Sequence, residues 1–179
     1  MSEDRSAAPG EPLAPYQRLA SLPDVGALRV HLDALLGQDQ PEAFALLLIR
    51  FAGLAELLAI EDPALGDRLL REAAHRARGW VGEHDYVARH AKDEFAVVVH
   101  AADPRRMAQS VSRRLLEVLG HPIDFGRRDV LLRVSIGIAL FPDSAADAGT
   151  LLARATAAMA AATARGGACA LLDPGLPAT

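Results

Sequence analysis

Residues 85–100 read Asp-Tyr-Val-Ala-Arg-His-Ala-Lys-Asp-Glu-Phe-Ala-Val-Val-Val-His. Two β-prone runs, Tyr86 to His90 and Phe95 to His100, flank a short polar break at Ala91-Lys92-Asp93-Glu94. Strand-forming residues on both sides of such a break are typical of a β-hairpin. The second run is apolar enough for a central strand, so we predict that this hairpin lies within the main sheet of the protein.

Two adjacent carboxylates, Asp93 and Glu94, stand at the tip of this predicted hairpin. Carboxylates at such a turn are candidates for a divalent-cation site or a general base. Side chains alternate along a strand, so the two residues should point to opposite faces and only one can join a given cluster. The alternative is that the tip is an ordinary solvated turn.

Composition indicates one domain without a surface for nucleic acid. The chain has 179 residues, 51% of them hydrophobic, which is enough to bury a full core. Its net charge is -4, so no overall basic field exists to hold nucleic acid or an anionic membrane surface. The single cysteine, Cys169, allows no internal disulfide, and we predict that it is a buried packing residue in a reducing compartment.

The longest apolar stretch, Ala43 to Ile60, is not a membrane span. Arg50 and Glu56 interrupt it, and turn-forming residues lie close to both of its ends. No basic and then apolar signal segment opens the chain. We therefore predict a cytoplasmic protein that does not insert into membranes.

The predicted elements, in chain order, are a helix, a strand, two helices, the hairpin, a helix, a second hairpin, a helix and a last strand. Helices are predicted over 24–36, 53–60, 63–78, 104–119 and 146–165, and strands over 43–49, 86–90, 95–100, 123–125, 130–140 and 168–172. This order describes one mixed sheet covered by helices, which is a ferredoxin-like or palm-type α+β domain.

Three of these elements carry specific packing expectations. Gly137 lies deep in the predicted strand over 130–140, and a glycine there indicates close backbone approach. The final helix is so rich in alanine that it must pack unusually close to its neighbours or be partly exposed. In the helix over 104–119, the periodicity predicts an inward face of Met107, Val111, Leu115 and Val118.

Four stretches together resemble the GGDEF domain, the diguanylate cyclase family. They are Leu19 to Asp24, similar to the Leu-Thr-Gly-Leu-Pro-Asn opening of the family; Gly66-Asp67; Val87-Ala88-Arg89 with Asp93-Glu94-Phe95; and Val134 to Ala139, which matches a Ser-Ile-Gly-Ile-Ala strand. The resemblance implies a nucleotide-cyclase-like domain over 16–173, with a flexible tail over 1–15 and a short tail over 174–179. Members of the family condense two GTP into cyclic di-GMP with the help of Mg²⁺.

The resemblance also implies a degenerate metal site. Ala91 and Lys92 stand where the family has Gly-Gly, and their side chains occupy space that a nucleotide phosphate needs. Asp93 takes the position of a metal ligand, and Glu94 that of a catalytic or orienting carboxylate. The other metal carboxylate is replaced by Arg50, whose fixed positive charge repels Mg²⁺. We therefore expect no metal and a structural ion pair of Arg50 with at least one of Asp93 and Glu94, beside a vestigial signature over Ala91, Lys92, Asp93, Glu94 and Phe95.

The positions that the family uses for nucleotides are altered in parallel. Leu58 stands at the guanine-reading Asn, which leaves Asp67 as the one retained candidate for base reading. Thr163 and Gly167 stand at the two cationic contacts to triphosphate. At the product-inhibition motif, Arg-x-x-Asp, the chain has Gly82 in place of arginine.

These departures favour a catalytically inactive GGDEF-like module that acts through protein contacts in cyclic di-GMP signalling, without Mg²⁺ or GTP as cofactors. Its partner is a protein of the pathway or a second copy of the chain. The alternatives are an active diguanylate cyclase that uses Mg²⁺ and GTP, and a GTP-binding regulator without turnover. The six histidines share no metal-ligand spacing, so we interpret them as surface or satisfied side chains.

Overall fold

The computed structural model describes residues 22–52, 72, 82, 85–91, 93–124, 129–167 and 169–171. In chain order these ranges contain α1 (Val25–Leu36), β1 (Phe44–Ala52), β2 (Tyr86–Ala91), β3 (Glu94–His100), α2 (Pro104–Leu119), β4 (Ile123–Asp124), β5 (Asp129–Val130), β6 (Arg133–Phe141), α3 (Ala148–Ala164) and β7 (Cys169–Leu171). The helices predicted over 53–60 and 63–78 lie outside the described residues except at Glu72, which is helical, and so do both predicted tails and the side chain of Cys169.

The main sheet is mixed, and its strand order is β2-β3-β1-β6-β7. β1 lies at the centre, antiparallel to both β3 and β6, and β2 pairs antiparallel with β3. β7 runs parallel to β6, which makes the sheet mixed. The predicted α+β fold and the hairpin within the main sheet are confirmed.

Helices cover both faces of this sheet. Odd-numbered residues of β1, such as Leu47 and Ile49, pack with α2 in one apolar cluster. Even-numbered residues, such as Leu46 and Leu48, pack with α1 and α3 in the other. Both faces of β1 are therefore buried, which explains why its sequence is a continuous apolar run and does not alternate.

An aspartate caps each of α1, α2 and α3. Asp24 accepts a hydrogen bond from the Ala27 backbone N–H at 2.8 Å, and Asp103 and Asp147 do the same at the starts of α2 and α3. Such caps satisfy backbone donors that have no partner within the helix. The predicted starts of α1 and α2 are confirmed at these aspartates. No helix in the described ranges is both long enough and apolar enough to cross a membrane.

The structure corrects three predicted details. β1 continues through Arg50 to Ala52, so Arg50 lies inside the strand and not at its end. The strand predicted over 130–140 is divided, because β5 pairs with β4 in a separate small ladder and β6 begins at Arg133. On α2, Met107 is 41% exposed, and the buried face consists of Ala108, Val111, Ser112, Leu115 and Leu119.

Gly137 confirms the expected close approach. A Cβ atom at this position would lie 2.1 Å from the Ala155 carbonyl oxygen and 2.3 Å from the Met159 backbone nitrogen. The backbone of α3 therefore rests directly on β6. The alanines of α3 permit this distance, since Ala155, Ala158 and Ala162 are fully buried.

Candidate functional site at the hairpin turn

Arg50 and Glu94 form an ion pair at the end of the sheet near the hairpin turn. The antiparallel register places them directly opposite each other on β1 and β3. Arg50 Nε donates to Glu94 Oε1 at 2.8 Å, and Arg50 Nη2 donates to the same oxygen. The Glu94 side chain is 9% exposed and that of Arg50 is 31% exposed, so the carboxylate is the buried member of the pair.

His90 engages the second oxygen of this carboxylate. Its Nδ1 lies 2.8 Å from Glu94 Oε2. The pairing of β2 with β3 shifts between Arg89 and Ala91, so an irregularity in the ladder falls at His90. Both oxygens of Glu94 are thus occupied, one by Arg50 and one by His90. We refer to these three residues as the Arg50–Glu94–His90 cluster.

Sequence reasoning missed the place of His90 in this cluster. The available signal was its position four residues before Glu94, on the opposite side of a very short turn. Assigning the contact also requires the register shift, which depends on the exact strand ends and was not predicted.

Asp93 takes a different position from Glu94. It lies in the turn, and its backbone carbonyl accepts a hydrogen bond from the Phe51 N–H at 3.1 Å. Among the described residues, Arg50 pairs with Glu94, and no ion pair includes the Asp93 carboxylate. The turn is therefore tied to β1 through the backbone of Asp93 and the side chain of Glu94.

The remaining signature residues divide between core and surface. Phe95 is buried and meets Phe51 edge to face, with ring centroids 5.8 Å apart. Ala91 is exposed at the end of β2, and Lys92 lies outside the described residues. The signature thus contributes one aromatic side chain to the α2 face of the core and one carboxylate to the cluster on the opposite face.

Burial and hydrogen bonding act on the pKa of Glu94 in opposite directions. Burial is the largest single effect and raises the pKa. The hydrogen bonds from His90 and Arg50, together with their charges, outweigh it and lower the pKa below its ordinary value of 4.5. Glu94 is therefore an ionised carboxylate held between two basic side chains.

This direction predicts how stability depends on pH. The folded protein holds the Glu94 proton less tightly than the unfolded chain, so the contribution of Glu94 is fully present above pH 4.5. It is lost as the pH falls through the lowered pKa of the folded state. We expect Glu94→Gln to show a smaller loss of stability than the wild type between pH 6 and pH 3, measured by urea unfolding at fixed ionic strength. An equal loss in both proteins would contradict the prediction.

The residues of the cluster do not fit a Mg²⁺ ion. Mg²⁺ requires an octahedral set of oxygen ligands, and both oxygens of Glu94 already accept hydrogen bonds. A guanidinium group at position 50 offers no lone pair to a cation. Within the described ranges, no group of three or more His, Cys, Asp or Glu side chains is arranged to hold a metal. The Arg50 guanidinium supplies the positive charge that neutralises Glu94.

Two other positions that the sequence singled out have local structural roles. The Thr163 hydroxyl donates to the Met159 carbonyl oxygen at 2.9 Å, within its own helix. The Asp85 carboxylate accepts from the Gly82 backbone N–H at 2.7 Å and closes a short turn. Leu58 and Asp67 lie outside the described residues.

Comparison with known proteins gives a consistent result. A family model described as diguanylate cyclase, GGDEF domain, matches residues 16–169. The bifunctional diguanylate cyclase/cyclic di-GMP phosphodiesterase MucR of Pseudomonas aeruginosa is 33% identical over 153 residues, which cover 82% of this chain and 22% of MucR. The chain thus spans about a fifth of the length of curated relatives such as MucR and an uncharacterized signaling protein of Caulobacter vibrioides, of which it covers 18%.

Solved structures show the same fold. The GGDEF domain of YfiN (TpbB) from P. aeruginosa is 31% identical, with a TM-score of 0.79, and the match covers 87% of this chain and 99% of that one. Diguanylate cyclase SiaD of P. aeruginosa, solved in complex with its activator SiaC, has a TM-score of 0.76 over 86% of this chain and 60% of its own. SiaD is 19% identical and therefore supports the fold alone.

Proposed function

Because the chain belongs to the GGDEF, diguanylate cyclase family, we propose that it is a catalytically inactive member that acts in cyclic di-GMP signalling through protein contacts. The observation that carries the proposal is the Arg50–Glu94–His90 cluster. It contains a carboxylate of the hairpin signature, and that carboxylate is already neutralised within the protein.

Phosphoryl transfer from GTP requires charge stabilisation at the transferred group, which this cluster is poorly suited to provide. In metal-aided transfer, cations neutralise the charge that develops on the phosphate oxygens. Glu94 contacts a guanidinium and an imidazole, so a metal ion that used this carboxylate would have to displace both and then lie beside the Arg50 charge. The cost of that arrangement supports a domain that works without Mg²⁺.

The nucleotide contacts expected from the family are weakened as well. Thr163 stands where the resemblance expects a lysine, and its hydroxyl donates to its own helix. Leu58 offers no hydrogen bond to a guanine base. A hydrogen bond to a charged phosphate contributes about 1.5–3 kcal/mol and one to a neutral base about 0.5–1.5 kcal/mol, so losing both weakens GTP binding by roughly thirtyfold or more.

The metal and nucleotide contacts of the family are altered in this chain, whereas the fold of the domain is preserved. The sheet, the caps and the buried hairpin remain, and they present a defined surface to a partner. SiaD, a protein of the same fold, is solved with a protein activator. We propose by analogy that a protein partner or a second copy of this chain binds to the surface of the domain.

The test is a cyclase assay with the purified chain. We expect no cyclic di-GMP after incubation with GTP and either Mg²⁺ or Mn²⁺, measured by chromatography against a heat-denatured sample. A relative with two glycines and the strand aspartate should form product in the same buffers and serves as the positive control. Product above the heat-denatured level would overturn the proposal in favour of an active cyclase.

Calorimetric titration distinguishes the proposed inactive module from the remaining alternative, a GTP-binding regulator without turnover. We expect no binding of GTP at micromolar concentration, with or without Mg²⁺. A micromolar dissociation constant without turnover would identify a GTP-binding regulator and would contradict the weakened nucleotide contacts proposed above.

A further inference from the structure

A histidine and a tyrosine form an aromatic stack between α1 and the edge strand β2. The rings of His31 and Tyr86 are nearly parallel, at 8°, with centroids 3.8 Å apart. Leu28, one turn before His31 on α1, and Leu32, the residue directly after it, are fully buried in the same apolar cluster. The stack therefore lies in the middle of the contact through which α1 is attached to the sheet.

One nitrogen of the His31 ring has no hydrogen-bond partner. Its Nε2 atom is buried, and no acceptor or donor among the described residues reaches it. A neutral imidazole tolerates this position, because one of its two nitrogens carries no proton. An imidazolium has an N–H at both nitrogens, so protonation would bury a charged donor without an acceptor.

The charged groups around His31 also disfavour protonation. Burial lowers the pKa of His31 below 6.5, and repulsion by the charge of His100 lowers it further. Tyr86 faces the ring with an uncharged phenol, and its pKa is raised by burial and by the charge of Asp24. From α3, the capping Asp147 interacts with Arg29 of α1.

α1 and the residues that lead into it cover the open edge of the sheet. Among the described strands, β2 is the outermost on this side. The Arg89 N–H of β2 donates to the Pro23 carbonyl oxygen at 2.7 Å, immediately before the Asp24 cap of α1. Loosening α1 would therefore expose the apolar residues beneath it and the backbone of the edge strand.

We propose that α1 is an acid-sensitive cover of this sheet edge, released when His31 gains a proton. When α1 opens, His31 enters water and regains its ordinary pKa near 6.5. The open form then binds a proton that the closed form excludes, so the closed form is weakened as the pH falls below 6.5. Above that pH, both forms hold a neutral ring and the cover stays closed. The device is independent of the Arg50–Glu94–His90 cluster and of the proposed inactivity.

Hydrogen exchange of backbone amides tests the proposal on the full chain. Exchange rates at pH 7.5 and pH 5.5, corrected for intrinsic chemistry, should show a loss of protection in α1 and at Arg89 at the lower pH. The amides of α2, on the opposite face of the sheet, serve as the internal reference and should keep their protection. No loss in α1 relative to α2 would overturn the proposal.

Two variants identify the group responsible. His31→Phe keeps an aromatic ring against Tyr86 and removes the titration, so its α1 protection should be the same at both pH values. His100→Gln removes the charge that repels a protonated His31. Protonation of His31 in the closed form then costs less, so the loss of α1 protection at pH 5.5 should be smaller than in the wild type. A pH-dependent loss in His31→Phe equal to that of the wild type would assign the effect to another group and overturn the proposal.

Discussion

Replacing Gly137 with alanine should lower the free energy of unfolding by about 3 kcal/mol. The added Cβ would lie 2.1 Å from the Ala155 carbonyl oxygen, 2.3 Å from the Met159 nitrogen and 2.7 Å from the Met159 Cβ. Two of these atoms belong to the backbone of α3, so no side-chain rotation relieves the overlap. The helix must move away from β6, and that movement opens gaps in an otherwise close-packed face.

Gly149→Ala is the matched control, because it adds the same methyl group at the start of the same helix. Its Cβ would lie 3.3 Å from the Asp147 carboxylate oxygen. This contact is only slightly too close, and a small movement of the Asp147 side chain relieves it. We expect a change of less than about 1 kcal/mol, since alanine also favours the helix. Urea unfolding of both variants measures the difference. Equal stabilities would show that α3 and β6 separate without cost.

Replacing Arg50 with alanine should destabilise the protein by about 2 kcal/mol. Removing one partner of a buried ion pair costs about 3–5 kcal/mol, whereas an exposed pair contributes about 1 kcal/mol or less. Arg50 is 31% exposed and Glu94 only 9%, so the pair lies between these limits. His90 remains in contact with the carboxylate and offsets part of the loss.

A double-mutant cycle separates this interaction from other effects of the substitution. Arg50→Ala, Glu94→Gln and the double variant should give losses that are not additive, because the two single changes remove the same contact. Arg105→Ala is the control for loss of an exposed cation. Its contact with Asp143 is 3.7 Å long, with both side chains more than 40% exposed, and should contribute about 0.5 kcal/mol or less. Additive losses at Arg50 and Glu94 would mean that the ion pair has no energetic role.

Local patterns were enough to predict the fold class and most of the elements in the described ranges. The polar break after His90 marked the hairpin, and Asp24 and Asp103 marked the helix starts, because turn and cap chemistry acts over a few residues. The predicted buried face of α2 was wrong at Met107. In the packed structure, the apolar face that includes Ala108 contacts the sheet, and Met107 remains exposed.

The sequence by itself determined the chemical types present at the site. It placed a guanidinium directly after the strand predicted over 43–49 and two carboxylates at the hairpin turn, and it provided a glycine in the strand predicted over 130–140. These follow from residue identity and from patterns within single elements, which need no knowledge of the neighbouring strands.

Only the tertiary structure decided which of these groups meet. The register of β1 against β3 brings Arg50 opposite Glu94, and the shift in β2 adds His90. A change of one residue in either register would move these side chains to the other face of the sheet. Strand pairing depends on contacts between segments more than 40 residues apart, such as Arg50 and Glu94. Such pairing is fixed by packing on both faces at once, so no pattern within one strand contains it.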